Sequence, residues 1–234
     1  EAVARIRLDG LDLILDLTSG TPQARPTLLA DRVALVHARL HATQIPRRGG
    51  SIDYLFTDAS VHPDIDADAA AVVRVPGSAW WPIAAARPLP APMGTGPIWL
   101  RSRAPVLHQD PLSASVWLDL LRQRQQARLV LPEMPIDVRA QWLGFAAARG
   151  IEEDRLRFCS PDCVLDGTTL HLDTLHRSDP AGLLHALQAA QPVLTLTGPR
   201  AAARIGASIV SAAGHPESIA TSAEDYVRRA LAMI

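Results

Sequence analysis

Residues 170–211 read LHLDTLHRSDPAGLLHALQAAQPVLTLTGPRAAARIGASIVS, and this run limits the fold more than any other part of the chain. Short apolar segments bounded by turn residues alternate with longer segments of helical period. The order is strand, loop, helix, strand, tight turn, helix. A β-strand followed by a crossover helix and another strand builds a parallel sheet with right-handed connections. The chain is therefore expected to be α/β.

The same rhythm extends upstream. Ile98–Arg101, Leu129–Leu131, Leu156–Cys159, Leu170–Leu172 and Val193–Leu196 are predicted strands. Asp110 followed by Pro111 opens a predicted helix that runs to about Gln126, because an Asp cap and a first-turn proline both favour a helix start. Asp137–Arg149 is a helix stopped by Gly150, and Arg200–Ala213 is one stopped by Gly214. Pro180–Ala190 and Ala223–Met233 complete the helices. Nearer the start, Ala2–Leu8 has a helical pattern. Leu11–Leu17 suits a buried strand, and Val33–Leu40, Ile52–Phe56 and Val72–Val75 are further strands. Residues 18–26 and the IPRRGGS segment are loops. Prolines 82, 88, 90 and 92 make residues 77–96 a linker rather than a helix or central strand. The expected division is a domain at 1–76, the linker at 77–96 and a second domain at 97–234.

A net charge of −1 argues against a nucleic-acid or acidic-membrane partner. Aromatic residues make up 4%, too few for a base-stacking platform. No apolar run reaches the roughly 20 residues that span a bilayer, and no signal peptide is present, so a cytoplasmic location is expected. All 23 basic residues are arginine. That usage suggests a GC-rich bacterial genome and excludes any chemistry that needs a lysine. The two cysteines, Cys159 and Cys163, are too few for a zinc site and read as two thiols. No metal-ligand cluster, Ser-His-Asp arrangement or Gly-rich phosphate loop is evident, and no metal is expected.

Two blocks carry a family resemblance. The first is LDLILDLTSGTPQARPTLLADRVALVHARLHATQIPRRGGSIDYLFTD, with Asp16, Thr21, Arg25, Pro26, Arg32, Asp53, Tyr54 and Asp58 among its matches. The second runs from Ile98 onward and includes Asp110-Pro111, Trp117, RLRF, LDT at 172–174, PVLTL and Ala203-Arg204. Together they resemble the protein O-GlcNAc transferase family, which includes the SPINDLY-like enzymes. The resemblance implies a GT-B-like architecture, with a partial first Rossmann-like domain and a complete C-terminal Rossmann-like domain. It implies a nucleotide-sugar donor, UDP-linked, and a protein Ser or Thr as acceptor. It also implies truncation, because the family's repeat array and acceptor-side histidine lie upstream of the matched region.

In the family the donor diphosphate lies at a helix start marked His-Thr-Thr, as the free amides and dipole of such a terminus favour. Counting from LDT puts Pro180, Ala181 and Gly182 there. None carries a hydroxyl, Pro180 has no N–H, and Asp179 adds a carboxylate where an anion would lie. The family's ribose-binding acid maps to His185. Its phosphate-directed Gln and Lys map to Pro105 and His108; His108 and Arg103 are the candidate cationic substitutes. Arg25 matches a family arginine and either bridges the two domains, braces its loop or meets ligand. Arg47 and Arg48 form a local positive patch. Arg200, with Arg204 near it, stands at a second strand-to-helix turn. Candidate donor-site positions are therefore Arg103, His108, Asp179, His185 and Arg200. Three functional readings follow: a glycosyltransferase-like protein with a degraded donor site, an inactive pseudo-glycosyltransferase that serves as a binding or scaffold module, and a related GT-B protein with altered ligand specificity, such as a different nucleotide sugar.

Overall fold

The computed structural model describes residues 2–19, 24–80, 97–160, 163, 165 and 168–234. The predicted linker positions 81–96 and Thr21 lie outside the described residues. The chain divides into two compact units, residues 1–81 and 82–234. Both are α/β with parallel sheets.

The first unit begins with α1 (Ala2–Leu8), which buries none of its residues. Four strands follow, β1 (Leu13–Asp16), β2 (Val36–Leu40), β3 (Tyr54–Thr57) and β4 (Ala71–Arg74), with α2 (Pro26–Ala30) between the first two. They pair in the order β1-β2-β3-β4, all parallel. Leu11–Leu17 does not form the buried strand its composition suggested. β1 is an edge strand, and Leu11, Leu13, Leu15 and Leu17 are 39%, 54%, 44% and 52% exposed. An apolar run buries itself only when another layer covers it, and α1 does not cover this one.

Several family-matching residues in this unit hold the scaffold. Arg32 grips Asp53 with both terminal nitrogens, at 2.5 and 2.9 Å, and Asp53 also accepts the His37 amide at 2.8 Å. The Arg32 hydrogen bonds hold the Asp53 carboxyl down at about 2. Arg39 donates to Asp16 at 2.9 Å across the β1–β2 pair. Asp58 is buried and accepts the amides of Ser60, Val61 and Ala79. Arg25 is exposed beside α2 and donates to the Ala24 carbonyl at 3.0 Å.

The second unit carries six strands: β5 (Ile98–Arg101), β6 (Ala127–Pro132), β7 (Leu156–Cys159), β8 (Thr168–Leu172), β9 (Val193–Leu196) and β10 (Ile219–Ala220). Its helices are α3 (Pro111–Gln123), α4 (Ile136–Ala147), α5 (Pro180–Gln188), α6 (Ala201–Ala212) and α7 (Ala223–Met233). The sheet order is β10-β9-β8-β5-β6-β7, and every pair is parallel. The chain winds outward from β5 through β6 and β7, then returns to β8 on the other side of β5. The order therefore reverses between β5 and β8. In open α/β sheets, ligands bind outside the carboxyl ends of strands at such a reversal.

The core is apolar and dense. α3 buries Ala114, Val116, Trp117, Leu118, Leu120 and Leu121, and the ring of Trp117 stacks on Trp142 of α4 at 6.1 Å. α3 ends at Gln123, earlier than its sequence suggests, because Arg124–Gln126 turn the chain into β6. Gly150 and Gly214 adopt φ of 70° and 85°, the left-handed conformation that stops a helix without strain at a glycine.

Cys159 and Cys163 are not the two thiols that their composition suggested. Their sulfurs are bonded, closing a short loop at the end of β7. Arg101 donates to the Cys163 carbonyl at 3.1 Å.

Candidate functional site

The carboxyl ends of β5 and β8 bring together residues far apart in the chain. β5 leads into Ser102, Arg103 and a short 3-10 turn, Val106–His108, that delivers Asp110 to the start of α3. β8 leads into Asp173, Thr174 and the loop Leu175–Asp179, which opens α5. Because β5 and β8 are direct neighbours, with Arg101 opposite His171, the two loops lie side by side.

Beneath the loops is a buried polar knot. Asp173 accepts the Thr174 amide at 3.0 Å, the Asp179 amide at 2.8 Å and the Thr195 hydroxyl at 2.7 Å. Tyr226 of α7 donates its hydroxyl to the Asp173 carbonyl at 3.0 Å. Ser178 accepts the Gly206 amide at 2.9 Å. Burial pushes the Asp173 carboxyl up to about 7, against the pull of these hydrogen bonds. Gly206 is required by space: a Cβ there would overlap Thr195, Asp173 and Ser178. The knot fixes the end of β8 to α5, α6 and α7 and shapes the site from below.

Above it, Asp179 is 5% exposed. Its carboxylate faces the Ala181 and Gly182 amides without meeting hydrogen-bond geometry. Burial raises the Asp179 carboxyl above its ordinary value, while those amides and the Arg103 charge act to lower it. A Cβ on Gly182 would overlap the Asp179 carboxylate and stand 3.1 Å from the Arg103 Cβ. The free N-terminus of α5 is thus faced by a carboxylate of this chain.

Arg103 acts electrostatically on Asp179 at that terminus, and Arg177 acts on His108 across the two loops. His108 is lowered by burial and by the charge of Arg177. His171, fully buried in β8, is lowered to about 3 by burial and by Arg103, Arg101 and His185, so it is neutral. Neither of its ring nitrogens has a partner among the described residues. His185 is exposed on α5. Arg200 is exposed just before α6 and makes no side-chain cap there. Its neighbour Arg204 donates to the Pro199 carbonyl at 2.5 Å and so braces the turn.

Four of the five residues singled out from sequence lie on this one face: Arg103 and His108 after β5, Asp179 and His185 at and on α5. Arg200 belongs to the neighbouring turn after β9. Sequence reading missed His176 and Arg177 of the β8–α5 loop, as well as the burial of His171 and Asp173. The signal for the loop was available, since the residues between a strand and its crossover helix at a sheet reversal are the usual ligand contacts.

The space at the site is divided. A cleft at the end of β5, lined by Arg101, Ser102, Arg103, Pro132, Cys159 and Ser160 among others, holds about 10 Å³, room for one water. A cavity of about 250 Å³ borders Asp110, between α3 and α4, walled by Val106, Gln109, Val138, Trp142 and Phe145. Among the described residues no cluster of three or more His, Cys, Asp or Glu could hold a metal, and no helix is long and apolar enough to cross a membrane.

No protein-family model and no curated protein sequence matches the chain. Solved structures do match. The chain resembles a Thermobaculum terrenum O-GlcNAc transferase mutant with a TM-score of 0.79 and 24% identity, over 99% of this chain and 47% of that one. A pneumococcal O-GlcNAc transferase, GtfA, solved in complex with UDP and GlcNAc, matches over 100% of this chain and 56% of that one, with 8% identity and a TM-score of 0.49. Of the two, the first is similar enough to establish the fold. The chain spans less than half the length of that protein. With its two parallel α/β units, this chain has a GT-B-like fold of the O-GlcNAc transferase type.

Proposed function

We propose that this chain is a glycosyltransferase-like protein that recognises a nucleotide diphosphate sugar at the β5–β8 reversal, with transfer to a protein Ser or Thr hydroxyl as the reaction of its type. The observation that carries the reading is that Arg103 acts electrostatically on Asp179 at the start of α5 while Arg177 acts on His108 across the two loops. Permanent guanidinium charge and free helix amides are what a diphosphate needs. They also stabilise the charge that develops on a departing diphosphate. Arg103 and His108 would hold the phosphates; His185, one and a half turns into α5, is the candidate for the ribose.

The donor site is weakened. Asp179 already faces the amides that an incoming phosphate would use, and Pro180 removes one of them. Asp179 thus supports a second reading, in which the chain keeps binding but not turnover and works as a pseudo-glycosyltransferase module.

Calorimetric titration with UDP-GlcNAc, with GDP-fucose as contrast, tests both. Saturable binding to one donor, lost in the Arg103→Ala/His108→Ala double variant, is the expected result. Saturable binding together with sugar transfer to a protein favours the first reading, and binding without transfer the second. No binding to either donor at millimolar concentration overturns both.

A further inference from the structure

The sheet of the first unit has two unlike faces. Register puts Leu15, Ala38, Tyr54 and Ala71 in one row on one side of it. Leu13 and Val36 stand in the row before, and Leu40, Phe56 and Val73 in the row after. Side chains alternate along a strand, so these three rows share one face. No position on it carries a charge, and Leu11 and Leu17 continue the same alternation past the ends of β1. The other face carries His37, Leu55 and Thr57, all deeply buried, and there Arg39 donates to Asp16.

A sheet whose strands are all parallel is ordinarily covered on both faces. Here the apolar side stays largely open. Besides the leucines of β1, Tyr54 and Val73 are 41% and 37% exposed. Leu35, just before β2, is 77% exposed. It borders a cavity of about 360 Å³ at the amino ends of β2, β3 and β4, where Val36, Tyr54 and Ala71 of the open face form the wall and Arg48 and Asp53 its polar part. α1 buries none of its residues and so covers nothing here.

The exposed parts of the large apolar side chains on and beside this face amount to about 600 Å², the upper end of what the largest patch on a monomer leaves open. Two such faces in mutual contact bury about 1,200 Å² in total, where stable specific interfaces begin. Pairing along the β1 edge would leave the leucines uncovered, because side chains stand perpendicular to the plane in which strands hydrogen-bond. Charge selects the occupant. A patch with charges of one sign repels its own copy, and this face has none, so it neither opposes self-pairing nor attracts a charged partner.

We propose that two copies of this chain associate through this face, sheet on sheet about a two-fold axis. The same patch serves both copies, as a two-fold interface requires. The leucines of β1 interdigitate with the facing sheet, and the cavity beside Tyr54 receives apolar side chains of the second copy. The pairing is independent of the donor site, and neither depends on the other.

Sedimentation velocity of the whole chain, from about 1 to about 100 µM, tests it. The wild type is expected to form dimers as concentration rises, and added salt is expected not to weaken them, since no charge is involved. Leu15→Glu and Val73→Glu lie on opposite edges of the sheet, and by symmetry each enters the interface twice. Each is expected to raise the dissociation constant about 100-fold or more. Leu15→Met stays within about tenfold of wild type. Both glutamates replace side chains that are already exposed in the single chain, so its fold is kept; far-UV circular dichroism checks this, and the variant that keeps the wild-type spectrum decides. Phe145→Glu, at an exposed aromatic of α4 in the second unit, leaves the dimer intact. A wild type that stays monomeric at the highest concentration overturns the proposal and leaves the face to a different polypeptide. A dimer that survives both glutamates, or that Phe145→Glu or salt dissociates, overturns it as well, because the interface then lies elsewhere.

Discussion

Asp179 and Gly182 share one space: the carboxylate of the first occupies the position that a side chain on the second would need. Gly182 thus lets α5 begin with an acid folded over its own amides. Replacing Asp179 by Asn removes a like charge from the path of an anion while keeping a side chain of the same shape. The expected result is affinity for UDP-GlcNAc raised about tenfold, the equivalent of roughly 1.4 kcal/mol, read by calorimetry. Unchanged or weaker binding would mean that Asp179 does not compete with ligand.

Gly206 is constrained more severely, since three polar side chains of the buried knot meet where its Cβ would be. Gly206→Ala should cost about 1–3 kcal/mol, the range for overpacking a close-packed interior. Urea denaturation measures it. A cost below about 0.5 kcal/mol would show that the knot rearranges freely.

Asp173 and His171 give opposite slopes of stability with pH. The Asp173 carboxyl is raised from 3.8 to about 7, so its contribution is fully present below pH 3.8 and is lost as pH rises through about 7. His171 is lowered from 6.5 to about 3, so its contribution is fully present above pH 6.5 and is lost as pH falls towards about 3. Between pH 3.8 and 6.5 the two slopes oppose each other. His171→Phe should therefore add a fall in stability with rising pH over that window relative to wild type, and Asp173→Asn a fall with acidification. Denaturant midpoints against pH check the signs. Parallel curves for all three proteins would contradict the assignment.

The Cys159–Cys163 bond closes a very short loop, so its effect on the unfolded chain is small. Reduction should cost about 2 kcal/mol by loop-closure entropy. The anchoring of Arg101 on Cys163 should loosen with it. Alkylation of unfolded protein without reductant should label neither cysteine. Two labels would show the thiols free.

Much of the fold was legible because most strands of the second unit are short apolar runs and α4 and α6 are stopped by Gly150 and Gly214. Leu129–Leu131, Val193–Leu196 and Gly150 behave as their chemistry dictates. β10 was not legible, because Ile219–Ala220 is two residues long and becomes a strand only by pairing with β9. The exposure of Leu13 and Leu15 was not legible either, because apolarity records a preference for burial and not whether a covering layer is present. Counting back from Asp110-Pro111 leads to Pro105 and His108, with Arg103 beside them, and the structure puts Arg103 and His108 after β5. The hydrogen-bonded His176–Asp110 pair could not be found that way, since the sheet order that joins residues 66 apart is a property of the assembled strands.

Among the described residues every strand pair is parallel, and the one antiparallel contact is an isolated bridge between Arg47 and Ala69. The described residues thus contain no hairpin to form early. Each ladder waits for a crossover to close, and β5 cannot meet β8 until some 70 residues between them are looped out. Loop closure of that length precedes any reward from pairing, which places such a protein among slow folders. The reversal that creates the site is thus also the contact expected to form late. Refolding followed by a probe on the Asp110–His176 clasp should trail the burial of Trp117.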